Sequence, residues 1–230
     1  MKILITGAGK GIGFECCKEA LRLGHEVFGV SRNVEELKSL QNENKENLHV
    51  FSTNLISKNA IQSLVSEIKN QTVTIDVLIN NAGLIVNKSF FDINEDELNQ
   101  VFKTNVFVPF LLTQAVLPLM RNSQQKHIVN ISSMGGVNGT SKFAGLSAYS
   151  SSKGALSTLT ECLAEELKTE NIRVNALAIG AVDTMMLREA FPGYKANVTA
   201  CEMAKHIISF STAQPILYNG KVIQVSNSTP

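Results

Sequence analysis

The sequence predicts an α/β fold in which a mostly parallel sheet is covered by helices on both faces. Two observations predict it. Short apolar runs alternate with longer helical stretches almost throughout the chain, and strands joined through helices pair in parallel by right-handed crossovers. The residues with chemical character cluster just after the apolar runs, where sheets of this kind bind their ligands. The 230 residues, 44% of them hydrophobic, suffice for one such core. With no linker, repeat or low-complexity segment, one domain over residues 1–230 is expected.

In order, "KILIT" reads as the first strand and Gly11 to Leu23 as the first helix. "HEVFGV" follows, then a helix from about Asn33, then "NLHVFST" and a helix over Lys58 to Lys69. Short unbroken apolar runs suit strands buried on both faces, and length separates them from the helices. "IDVLIN" is the next strand. A long helix over Glu95 to Met120 is expected to bend or break near Pro109, which cannot donate a helical hydrogen bond. "KHIVNIS", a helix from Ala148 to Lys168, "IRVNALAI", a short helix near Cys201 to Ser211 and the strand "KVIQV" complete the alternation.

A net charge of +1 without long like-charge runs argues against nucleic acid or an anionic membrane as the main partner. The most apolar window, "VFVPFLLTQAVLPLM", is short and interrupted by Pro109, Thr113, Gln114 and Pro118, so no membrane span is expected. The first strand is expected to begin at the N-terminus itself, with no signal peptide expected ahead of it. Cys16, Cys17, Cys162 and Cys201 have no metal-ligand spacing, no metal is expected, and a reducing cytoplasm is the simplest home.

"TGAGKGIG" joins the first strand to the first helix. Gly7, Gly9, Gly11 and Gly13, with Lys10 and Ile12 between them, let backbone N–H groups approach a pyrophosphate at the helix N-terminus. The run is neither G-x-G-x-x-G, because Ile12 takes the sixth position, nor a P-loop. At the end of the second strand an NAD enzyme typically carries an acid for the ribose 2′-hydroxyl. This chain has Ser31 and Arg32 instead. Arg32, whose fork suits a phosphate, together with Lys10 points to NADP(H) rather than NAD(H). In "LINNAG", Asn81, Ala82 and Gly83 allow close approach of backbone to a nucleotide.

Tyr149 and Lys153 lie four apart on a helix and share a face. A free phenol titrates near pH ~10, and an adjacent ammonium favours the phenolate. Tyr149 is therefore read as the acid for carbonyl reduction, or the base for the reverse reaction. Ser132 and Ser133 end the strand "IVNISS", where a hydroxyl can stabilise negative charge developing on a substrate oxygen. Asn105 is placed under the site, holding a water between Lys153 and solvent.

Taken together, "TGAGKGIG", "NNAG", Asn105, "IVNISS", "YSSSK" and "IRVNALAIG" resemble, in identity and order, the compact branch of the short-chain dehydrogenase/reductase family. The resemblance covers nearly the whole chain. It implies a Rossmann-type doubly wound sheet of about seven parallel strands, and hydride transfer between nicotinamide and a carbonyl or alcohol carbon. By position it makes Tyr149 the acid/base, and gives Lys153 the tasks of lowering its pKa and binding the nicotinamide ribose. Ser133, rather than Ser132, orients the substrate, and Asn105 completes a proton relay. Asn54, replacing a usual Asp, and Leu55 belong near the adenine, and Gly180 and Thr184 near the carboxamide. The family Pro before Gly180 is Ile179 here, the usual Asp of the last strand is Ser226, and the loop between Ser133 and Tyr149 is longer than in many relatives.

The segment from Thr184 to Cys201 is short for a substrate lid, so an open or shallow pocket is expected. Leu84, Ile85, Phe143, Met185, Met186 and Phe191 are candidate apolar walls. The leading reading is an NADP(H)-dependent carbonyl reductase acting on a small carbonyl or alcohol. A 3-oxoacyl-carrier-protein reductase is the enzyme alternative, and a non-catalytic NADP(H)-binding sensor or scaffold the alternative of another class. By resemblance alone, the two long helices would assemble a homodimer or homotetramer.

Overall fold

At the centre of the sheet β1 (Lys2–Thr6) lies between β2 (Glu26–Ser31) and β4 (Val77–Asn80), parallel to both. The structure, a computed structural model, describes residues 1–214 and 216–227. With β3 (Leu48–Ser52), β5 (His127–Ser133), β6 (Arg173–Ile179) and β9 (Val222–Val225), the seven parallel strands run in the order 3-2-1-4-5-6-9. Strand order therefore reverses between β1 and β4. A crevice opens there beyond the carboxyl ends of the strands.

Alternation along the strands divides the core in two. Leu4, Phe28, Leu78 and Ile128 face one side, under α3 (Lys58–Lys69), α5 (Val108–Arg121) and α6 (Ser147–Glu166). Ile3, Ile5, Val77, Ile79 and Val129 face the other, under α1 (Gly11–Arg22), α2 (Glu35–Glu43) and α8 (Ala200–Thr212). Burying apolar area at roughly 25 cal/mol per Å² on both faces is what holds the helices to the sheet.

The expected long helix is continuous but not uniform. α4 (Glu95–Phe102) opens with a full capping box from Asn94 and Glu97, widens into a π-helical turn over Lys103–Phe107, then resumes as α5. The irregularity thus lies one turn before Pro109. The cause is local: Pro109 has no N–H for the Asn105 carbonyl, and the ladder widens there instead of breaking. The irregularity expected near Pro109 is thus present, as a widened turn rather than a bend or a break. What is corrected is the expectation that no segment could span a membrane. Glu95–Arg121 reaches that length with a mean hydropathy of 1.3. Here its apolar residues Val108, Leu112, Val116 and Leu119 are buried in the core instead.

Between β6 and α8 the chain makes a two-stranded parallel ladder, β7 (Val182–Asp183) with β8 (Val198–Thr199), and a six-residue helix, α7 (Met185–Ala190). None of these was expected. Each is too short for a periodic signal.

Candidate active site

Thr6 ties the two central strands together at the crevice. Its hydroxyl accepts from the N–H groups of Asn81 (3.1 Å) and Ala82 (3.0 Å), and the Asn81 amide donates to the Thr6 carbonyl at 2.9 Å. The glycine loop packs directly over this junction. A Cβ on Gly13 would lie 2.2 Å from the Gly7 carbonyl oxygen, and one on Gly9 would lie 2.2 Å from that of Asn33. Gly7 itself has φ +66°, a conformation glycine adopts without strain. Helix α1 then starts with neither a capping side chain nor an acid in its first turn, whereas α4 and α8 carry both. Its N-terminal dipole is left for an anion from outside the chain.

A cleft of about 300 Å³ runs from this loop across the strand ends. Along it lie Lys10, Arg32 and Lys153 and, among the described residues, no carboxylate. Arg32 is exposed, and among the described residues its guanidinium has no hydrogen bond or ion pair, while its carbonyl accepts from the Ser52 hydroxyl at 3.2 Å. Ser31 sits beneath Gly9, and Asn54 accepts weakly from the Ile56 N–H at 3.4 Å. The residues present therefore fit the pyrophosphate of a dinucleotide: a glycine loop without room for a Cβ at Gly7, Gly9 or Gly13, an uncapped helix start and a cationic wall.

The chemical end is mounted on α6. Beneath it β5 is polar on one face, a cost to a core strand that its hydrogen-bond partners offset. Asn130 accepts from the Asn80 amide at 2.8 Å and donates to the Thr160 hydroxyl at 2.9 Å. Ser132 donates to the Lys153 carbonyl at 3.0 Å and shares a bond with Ser157. These buried bonds, strong in a low-dielectric core, fix the rotation and height of α6 on the sheet. Gly136 completes the fit, since a Cβ there would meet the Lys153 carbonyl carbon at 2.6 Å.

So fixed, α6 points Tyr149 and Lys153 into the cleft. Tyr149 is half-buried, with the Ser133 hydroxyl close enough to favour its ionised form. Ser133 also accepts from the Gly135 N–H at 3.2 Å. Lys153 is buried, its ammonium donating to the Ile131 carbonyl at 2.7 Å and lying 5.8 Å from the Tyr149 ring centre. Burial pushes the Lys153 pKa down to about 8. Asn105, wholly buried on the π-turn, grips the Leu84 backbone through both amide atoms, at 2.8 and 2.9 Å, and donates to Ser152 at 2.9 Å.

One expectation is reversed. Lys153 was expected to lower the Tyr149 pKa, but burial raises it, with the Ser133 hydrogen bond pulling the other way. The physical reason is that the phenol's polar partner is Ser133, while the ammonium is spent on a carbonyl and is itself weakened by desolvation.

Most of the sequence-derived positions converge on the cleft: Gly7, Lys10, Gly11, Ile12, Ser31, Arg32, Asn54, Leu55, Asn81, Ala82, Gly83, Tyr149, Lys153 and Thr184 all line it. Gly9, Gly13 and Gly180 do not; they are close-packing positions, Gly180 against Ser226 with a Cβ-to-Oγ distance of 2.5 Å. Asn105 is not a lining residue but holds Leu84, which is; of the serine pair Ser132, not Ser133, lines the cleft, its hydroxyl committed to the Lys153 carbonyl. Of the candidate apolar walls, Leu84, Met185 and Met186 line the cleft, while Phe143 is 58% exposed. Sequence reasoning missed Gln100 and Thr104, which line the cleft with Val108. Their spacing of four, one face of a helix, was the available signal.

The model of the short chain dehydrogenase family matches residues 1–195. A 3-oxoacyl-acyl-carrier-protein reductase of Aquifex aeolicus is 35% identical over 187 residues, covering 80% of this chain and 74% of that protein. An uncharacterized oxidoreductase of Staphylococcus aureus (strain MW2) is 26% identical over 96% of this chain and 95% of its own. Among solved structures, 4-hydroxyisoleucine dehydrogenase complexed with NADH superimposes with a TM-score of 0.88 at 26% identity, covering 99% of this chain and 97% of that one. The chain belongs to the short-chain dehydrogenase/reductase family of nicotinamide-dependent oxidoreductases.

Proposed function

We propose that this protein is an NADP(H)-dependent reductase of small carbonyl compounds, with Tyr149 as its proton donor. The observation that carries the reading is geometric: Tyr149 and Lys153 point from one helix into a cationic, carboxylate-free cleft. A phenol is protonated at neutral pH, which is the state a reduction requires of its acid. The Gly7–Gly13 loop and the start of α1 would hold the pyrophosphate, Arg32 and Lys10 the 2′-phosphate, and Lys153 the ribose next to the nicotinamide. When bound, NADPH supplies the hydride that reaches the carbonyl carbon.

Ser133 donates to the carbonyl oxygen and stabilises its developing charge, while Tyr149 transfers its proton to the same atom. Lys153, its ammonium anchored on Ile131, supports the phenolate left behind. Asn105 keeps the Leu84 backbone in place under that relay. The four cysteines are free, which fits a reducing cytoplasm. The half-exposed Phe107 and Phe110 on the long helix fit assembly into a homodimer or homotetramer.

A second reading, reduction of a 3-oxoacyl thioester, is favoured by the 35% identity to the Aquifex enzyme. One assay separates the readings: NADPH oxidation with ketones, diketones and 3-oxoacyl thioesters, wild type against Tyr149→Phe, repeated with NADH. Turnover of a ketone that needs NADPH and collapses in the variant supports the proposal. Preference for NADH overturns the cofactor assignment, and binding without turnover of any carbonyl points to a sensor.

A further inference from the structure

The floor of the cleft is the rim of the sheet, but its roof is α7, which buries none of its residues. At its start the Thr184 hydroxyl caps the Leu187 N–H at 3.3 Å, and Met185 touches the Lys10 ammonium at 3.6 Å. At its end the last carbonyls need a partner from elsewhere. Asn87, in the loop after β4, supplies it by donating its amide to the Ala190 carbonyl at 2.7 Å. To reach it the Asn87 side chain passes over Gly145, where a Cβ would lie 2.0 Å from its Oδ1. Gly145, at φ +85°, is in turn tied to this loop by the Lys88 N–H, at 3.0 Å from its carbonyl oxygen.

We propose that Asn87 is the latch that holds α7 closed over the cleft, and that Gly145 is glycine so that the latch can lie across it. Asn87 touches none of the reacting groups and is a positioning residue. Met185 and Met186 line the cleft from α7. Opening it for ligand exchange therefore breaks the Asn87–Ala190 bond. That consequence rests on reading the cleft as the cofactor site; the latch itself does not.

The test is amide hydrogen exchange over residues 185–191, without nucleotide, in the wild type, Asn87→Asp, Gly145→Ala and the double variant. Aspartate keeps the size of the side chain and removes its donor. Asn87→Asp is expected to exchange about fivefold faster in this segment alone, as loss of one net hydrogen bond implies. Gly145→Ala should match it, and the double variant should be no faster than either single one. Unchanged exchange in Asn87→Asp, or multiplying effects in the double variant, overturns the latch. In turnover the KM for the carbonyl should rise about fivefold with kcat within about twofold, because no reacting group has moved. Faster exchange with unchanged NADPH retention would keep the latch and remove the cofactor reading instead.

Discussion

The wall that carries Tyr149 and the roof that carries Met185 face the same cleft but are built in opposite ways. The wall rests on buried polar bonds, Asn80–Asn130–Thr160 and Ser132–Ser157, and on backbone contacts that admit no Cβ at Gly13 or Gly136. The roof is a short helix without a buried residue, held by exposed hydrogen bonds and by an ion pair of Arg188 with Asp183. The difference teaches where precision is needed. Groups that exchange protons must stand at fixed distances, whereas a cover must move.

The contrast is sharpened most by Tyr149→Phe. Activity should fall about 10²–10⁴-fold, the span typical of a lost general acid, while thermal stability stays within a degree or two. A stability loss of comparable size in a melting experiment would mean that the phenol holds the wall together instead.

Acid should come next, and it should act on the sheet. His127 is buried with its Nδ1 on the Ser211 carbonyl at 3.1 Å and its Nε2 accepting from the Asn175 amide at 3.0 Å, so the neutral ring is the one that fits. Burial pulls its pKa down to about 4. Between that value and about 6.5 the unfolded chain binds the proton and the folded chain does not. Stability is therefore full above pH ~6.5 and drops by roughly 3 kcal/mol as pH falls towards 4. Urea titrations of wild type and His127→Gln should show this slope only in the former.

Gly136→Ala should cost about 1–3 kcal/mol and slow turnover, because the new methyl meets backbone of α6. In the lid, Gly193→Ala has nothing within 4 Å of its Cβ and pays only for φ +85°. That cost is about 1–2 kcal/mol at most, with turnover kept. Equal losses of turnover would erase the distinction between wall and roof. Arg32→Ala should raise the KM for NADPH about tenfold and leave that for NADH unchanged, since a single charged contact to phosphate is removed. Smallest of all, Arg188→Ala should change the melting temperature little, as an exposed ion pair contributes about 0–1 kcal/mol.

Much of this was legible in the sequence. The sheet strands and the helices α1, α3 and α8 fall within a few residues of their expected places, because buried parallel strands and amphipathic helices announce themselves by unbroken or periodic apolar runs. Tyr149, Lys153 and the glycine loop were legible for another reason: their chemistry is unusual at those spacings. The packing glycines could not be told from the lining ones, since Gly9 and Gly7 look alike until the partner at 2.2 Å is known. Nor could Gln100 and Thr104, ordinary polar residues on a helix, be assigned to the cleft.

By itself, then, the sequence determined the α/β class, the order of its elements and the identity of the groups that can do chemistry, all of which depend on local pattern. Only the tertiary structure decided how those groups are tuned. The direction of the Tyr149 pKa, the pairing of Lys153 with Ile131, the π-turn that presents Asn105 and the Asn87 latch all depend on residues distant in sequence. Electrostatic environment and packing are set by whatever the fold brings within a few ångströms, and no local pattern encodes that.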